Sequence, residues 1–167
     1  MKWSRIALLL AAAATLEFFV GGSSHRWLLP VDWFLLATAA VARSGDFVRA
    51  VLTGAAAGFL EDGISGRLLG MNAFAKAIIG YALTLVSVRV VFGGALAVGA
   101  ALAVAALINE AIVAMLAALL LQAPIVIFSR DALWRAAATG IAGGALEAAW
   151  GFSWGDWWKR RRLRRLR

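Results

Sequence analysis

Five polar side chains interrupt otherwise apolar stretches of this chain: Glu17, Lys76, Asn109, Glu110 and Glu147. Two further acids, Glu61 and Asp62, close an alanine- and glycine-rich run. A charge within a lipid bilayer costs at least a few kcal/mol unless it is paired, protonated or near water, so each is a candidate site. Acid–base catalysis would need a poised pair in a pocket. The sequence offers scattered carboxylates, with no nucleophile beside a base, no phosphate-binding loop and no metal-ligand set. There are no cysteines, which excludes disulfides and thiolate chemistry, and the single histidine, His25, reads as a solvated loop residue. The expected chemistry is ion pairing: Lys76 with Glu61 or Asp62, and Glu110 and Glu147 with Arg89 or Arg135 or as protonated acids. No catalytic residue, metal or cofactor is expected, and a scaffold or carrier is favoured over an enzyme.

The elements that would hold these residues are helices. The 167-residue chain is 63% hydrophobic and 16% charged, against roughly 45–50% and about 25% in soluble domains. The excess lies in long runs with none of the in–out alternation of a membrane β-barrel. The fold class predicted is an all-α polytopic membrane protein of about six transmembrane helices. The basic, apolar N-terminus resembles a signal peptide, but its run reaches Gly22, near the ~20 residues of a span, and predicts an uncleaved first helix. Further segments are predicted at 28–42, started by Pro30 with Asp32 in the first turn, and at 46–60, capped by Asp46. The rest are predicted at 69–91, at 94–121 ended by Pro124, and at 131–152. Segments 2 and 3 are short and could be half-spans covered by other protein.

Net charge is +8, and seven of those charges lie in the tail Lys159, Arg160, Arg161, Arg162, Arg164, Arg165 and Arg167. Directly after a membrane domain, such a tail predicts contact with anionic lipid headgroups and no nucleic-acid partner. Residues 1–153 then form the transmembrane domain and 154–167 a basic juxtamembrane tail. The positive-inside rule puts both termini in the cytoplasm of a multi-pass inner-membrane protein. Trp150, Trp154, Trp157 and Trp158 would mark that interface.

Small residues recur four apart at Ala7/Ala11, at Gly54/Gly58 and along Ala136, Gly140, Gly144 and Ala148. Such spacing lets helices approach closely in lipid, either within the bundle or against a partner. The ridge on segment 6 is the longest and the best candidate for a partner face.

Residues 58–81, GFLEDGISGRLLGMNAFAKAIIGY, read physically as a helix end, a polar turn and a new helix. Glu61 and Asp62 would end the first helix at an interface. Gly63, Gly66 and Gly70 would take backbone angles other residues resist, and Asn72 would cap the second helix.

The residues Gly58, Phe59, Leu60, Asp62, Leu69, Gly70, Asn72, Ala73, Lys76, Gly80 and Tyr81 resemble the rod shape-determining protein MreD family, as does Pro30–Leu36, PVDWFLL. The similarity is specific over residues 30–81, and the long arginine tail departs from the family pattern. The resemblance implies a fold similar to the six-helix substrate-binding subunits of energy-coupling-factor transporters. It implies a non-enzymatic subunit of the bacterial cell-elongation machinery, docking the transmembrane helix of an MreC-like bitopic protein. A RodA-type glycosyltransferase with its class B penicillin-binding protein, and more indirectly an MreB-like filament, would be further partners. On that reading Asp62, Gly63, Gly70, Asn72, Lys76 and Gly80 shape a partner-binding or structural motif, and Gly54, Gly58, Gly140 and Gly144 pack helices. The alternative is a vitamin-binding transporter subunit, to which Ala7/Ala11 would contribute a partner contact. An ion-coupled carrier using Glu110 or Glu147 is a third, without the repeat symmetry common among carriers.

Overall fold

In the computed structural model, residues 3–22, 30–66, 68–89, 94–122 and 129–164 are described, with side chains described as far as residues 19 and 149 in the first and last segments. They form six helices and, among the described residues, no strand: α1 Trp3–Gly22, α2 Trp33–Ala42, α3 Phe47–Ser65, α4 Met71–Arg89, α5 Ala95–Leu121 and α6 Arg130–Arg164. His25, Pro124, the Trp-rich side chains from Trp150 onward and the side chains of the basic tail lie outside the described residues.

Two helices, α4 and α5, are both long and apolar enough to cross a bilayer. The ten residues of α2 span about 15 Å at 1.5 Å per residue, half of the ~30 Å hydrocarbon core. This helix begins later than the sequence suggests. Pro30 lies before the helix, and Asp32 is its N-cap, accepting a hydrogen bond from the Leu35 amide. By contrast α3 runs longer than expected. Glu61 and Asp62 do not end it at an interface. Both are buried within it, and the helix closes one turn later where Gly66, at φ +63°, donates its amide to the Asp62 carbonyl.

Two antiparallel helix pairs organise the bundle: α3 packs most extensively on α4, and α5 on α6. Glycine sets both crossings. A Cβ on Gly54 or Gly58 would run into the α4 backbone at Lys76 and at Asn72–Ala73, and one on Gly80 would lie 2.6 Å from the Ala50 carbonyl of α3. On the second pair, Cβ atoms on Gly99 and Gly140 would each lie 2.8 Å from the other's carbonyl oxygen, and one on Gly144 3.0 Å from that of Ala95. Gly140 and Gly144, the middle of the α6 ridge, therefore face α5 within the bundle. The short α2 sits centrally, against α1, α3 and α4 with lesser contact to α5 and α6. Its Leu35 joins Ile79, Ala105, Ala106 and Ala136 in one apolar cluster, and its Phe34 and Ala37 join Ala13 and Ala57 in another.

Polar side chains share the interior with these apolar clusters. Asp32, Thr38, Thr53, Glu61, Asp62, Asn72, Lys76, Thr84, Asn109 and Thr139 are all buried. Large apolar side chains such as Leu8, Phe19, Leu96, Leu119 and Ile141 face outward.

Candidate functional site

The buried charges form one network that ties together five helices and, through its N-cap Asp32, the start of α2. Lys76, on α4, is fully buried, a state a lysine tolerates only when paired. Its Nζ donates to Asp32 Oδ2 at 2.6 Å and lies 2.6 Å from Glu61 Oε2. The second contact is an ion pair without hydrogen-bond geometry. The other Glu61 oxygen accepts from Arg135 Nη2 on α6 at 3.1 Å. Arg135 Nη1 lies 3.5 Å from Glu110 on α5, and Nη2 lies 4.0 Å from Glu17 on α1.

Asp32 is placed by its capping role. One carboxylate oxygen holds the Leu35 amide at 2.7 Å, leaving the other for Lys76. Its own backbone amide donates to Thr139 Oγ1 at 3.0 Å, and that hydroxyl donates to the Arg135 carbonyl at 2.7 Å. The start of α2 is thus fastened to α6 one turn beyond Arg135. Lys76 therefore pairs with Glu61 and Asp32, not with Asp62.

Asp62 has a separate task. Its Oδ2 accepts the Gly70 amide at 2.8 Å and the Asn72 amide at 3.2 Å, and its Oδ1 accepts Asn72 Nδ2 at 2.7 Å. Amides at the start of a helix lack intrahelical acceptors, and here a carboxylate from the preceding helix supplies one, with its negative charge at the favourable end of the dipole. Asn72 is therefore not a cap; it sits inside α4 and donates to the group that is. Gly70 bends the chain into this position at φ +105°. Gly63 needs no such freedom. It is helical and exposed, with open space where a Cβ would point.

Glu147 pairs with Arg43, at the end of α2, and not with Arg89 or Arg135. Asn109 is buried on α5, and its side-chain oxygen has no hydrogen-bond partner. Ala7 and Ala11 lie on an exposed part of α1.

Sequence reasoning singled out Lys76 with Glu61, and Glu17, Asp62 and Asn72, and offered Arg135 as a partner for Glu110, which lies 3.5 Å from it; it did not bring Asp32 or Thr139 to the network. The available signal for Asp32 was an acid directly before an apolar helix, since a cap uses one oxygen and leaves the second free. The arrangement can hold charge and fix helix positions. Among the described residues, no group of three or more acids or histidines is placed to hold a metal ion. Comparison of the chain with models of known families, with characterised proteins and with solved structures returns no match.

Proposed function

We propose that this chain is a multi-pass subunit of the bacterial inner membrane, non-enzymatic, that serves as a scaffold in the cell-elongation machinery. It docks the transmembrane helix of an MreC-like partner and so links it to peptidoglycan synthesis by a RodA-type glycosyltransferase and its class B penicillin-binding protein. On this reading the helices together cross the bilayer, with α2 as a covered half-span, and both termini are cytoplasmic. Large apolar side chains facing outward on α1 and on α3 to α6, around a set of buried charges, support the membrane setting.

The observation that carries the reading is the use made of the family-like residues. Gly58, Asp62, Gly70, Asn72, Lys76 and Gly80 converge on a single α3–α4 unit: glycines at the crossing, a carboxylate latch on α4, and a lysine bound to two acids. Each of these residues serves to hold or place the two helices, as a scaffold requires. The test is genetic. Replacing the native gene with Asp62→Ala or Gly70→Leu should round up a rod-shaped host and release the MreC-like partner. Normal rods with the partner still bound would show the site assignment to be wrong.

A further inference from the structure

The surplus charge of the chain gathers at one end of the bundle. There α1 begins at Trp3, α2 ends at Ala42, α3 begins at Phe47, α4 ends at Arg89 and α5 begins at Ala95. Contacts bring these ends together. Ser87 Oγ of α4 donates to the Ala42 carbonyl at 3.1 Å, and the Arg49 guanidinium lies 5.8 Å from the centre of the Trp3 ring. Four arginines lie at this end, Arg5, Arg43, Arg49 and Arg89, and the seven cations from Lys159 onward follow it in sequence. Three acids oppose these eleven, Asp46, Glu147 and Asp156, so this end accounts for the chain's whole net charge of +8. Arg43 and Arg49 pair with Glu147 and Asp46, while Arg5 and Arg89 are exposed.

Here α6 outruns the other helices. A Cβ on Gly144 would lie 3.0 Å from the Ala95 carbonyl at the start of α5, and Glu147 meets Arg43 just past the end of α2. The helix then continues to Arg164, about 25 Å further. Its 35 residues span about 52 Å at 1.5 Å each, more than the about 40–45 Å of a bilayer with its headgroups. Trp150, Trp154, Trp157 and Trp158 occupy helix positions i, i+4, i+7 and i+8, which share one face. Trp157 comes about 15 Å after Glu147 along the axis, whereas a headgroup layer is only about 5–8 Å deep. An upright helix would carry it into water. A helix laid along the surface keeps all four positions at headgroup level, where indole rings settle.

We propose that the extension of α6 lies along the cytoplasmic headgroups and, together with Arg5 and Arg89 of the bundle, binds anionic phospholipid. This goes beyond the scaffold reading and rests only on its membrane setting. Guanidinium groups match phosphodiester oxygens in charge and in bidentate geometry, and the anionic leaflet attracts basic segments that directly follow a membrane helix. Charge alone would suit an acidic protein equally. The tryptophan face decides for a lipid surface.

The test uses the full chain in phosphatidylcholine liposomes. Spin-labelled phosphatidylglycerol and spin-labelled phosphatidylcholine are compared for the fraction of each immobilised at the protein. The parent should prefer phosphatidylglycerol by about 5-fold or more, the factor that one basic residue supplies at an anionic surface. Most of that preference should vanish at about 1 M salt, where the screening length is about 3 Å. Glutamine at all seven tail cations should cut the preference by more than half, and Arg5→Gln with Arg89→Gln should lower it independently. A nitroxide on Ser153→Cys, in a chain with no native cysteine, should collide with lipid-dissolved oxygen more than with a water-soluble nickel chelate. The reverse would mean an upright extension and overturn the surface placement. Equal immobilisation of the two lipids by the parent would overturn the proposal and leave an acidic protein as the occupant of this end. A preference unchanged in both variants would also overturn it, by placing the lipid site elsewhere. If neither lipid is immobilised, the chain does not enter the bilayer, and the membrane setting of the scaffold reading falls with the proposal. Immobilised lipid without preference sinks the proposal alone.

Discussion

Lys76 of α4 and Asp32 at the start of α2 are joined across 2.6 Å with neither side chain reaching solvent. The pair ties the long α3–α4 hairpin to the short central helix, and through Thr139 to α6. Losing one member of such a pair strands the other. Lys76→Met should therefore destabilise the fold by about 3–5 kcal/mol, the usual penalty for an orphaned buried charge. Combining it with Asp32→Asn and Glu61→Gln should recover part of that loss. Reversible unfolding in mixed micelles measures both, and a Lys76→Met protein as stable as the parent would refute the pairing.

The Asp62 latch makes a graded prediction. Asp62→Ala leaves the Gly70 and Asn72 amides without their acceptor, a loss of about 1–3 kcal/mol for buried donors. Asp62→Asn retains one acceptor oxygen and should cost less. Amide exchange would report the change locally, as faster exchange at Gly70 and Asn72 with the centre of α4 unaffected.

Gly58 and Gly63 lie five residues apart on α3 and should respond in opposite ways. Gly58→Leu drives a side chain into the α4 backbone and should abolish folded protein in membranes. Gly63→Ala meets nothing and should stabilise α3 by about 0.5–1 kcal/mol, the usual gain of alanine over glycine inside a helix. Thermal denaturation of the two purified variants tests the contrast.

The α5–α6 crossing separates packing from docking. Gly140→Leu should disrupt the bundle itself, because the space its side chain would need is held by Gly99 and Ala103. Loss of partner binding with an unchanged melting temperature would instead restore α6 as an external contact face.

Much of the helix pattern is legible in the chain because apolar runs dominate it. The bounds predicted for α4 and α5, 69–91 and 94–121, lie within two residues of Met71–Arg89 and Ala95–Leu121. Asp46 caps α3 as its place before an apolar run suggests, accepting the Arg49 amide at 3.1 Å. The errors come from charged residues that face inward. Glu61 and Asp62 look like a helix end only if their charges must reach water. Lys76, Arg135 and the α4 amides are what allow them to stay buried, and none of these is adjacent in sequence. The same holds for Asp32, whose partner lies 44 residues away. Local spacing marks a candidate charge, but it does not say which distant charge the fold will bring to it. The α6 glycines illustrate the same limit, since spacing four apart serves an internal crossing as well as an external one.

The scaffold claim is tested most directly by purifying the tagged chain from its native membrane in mild detergent and identifying what accompanies it. The account predicts recovery of an MreC-like bitopic protein together with a RodA-type glycosyltransferase and its class B penicillin-binding protein, and loss of that set from the Asp62→Ala protein. Recovery of a transmembrane coupling protein with paired ATPases, in place of these, would contradict the account and make the chain a transporter subunit.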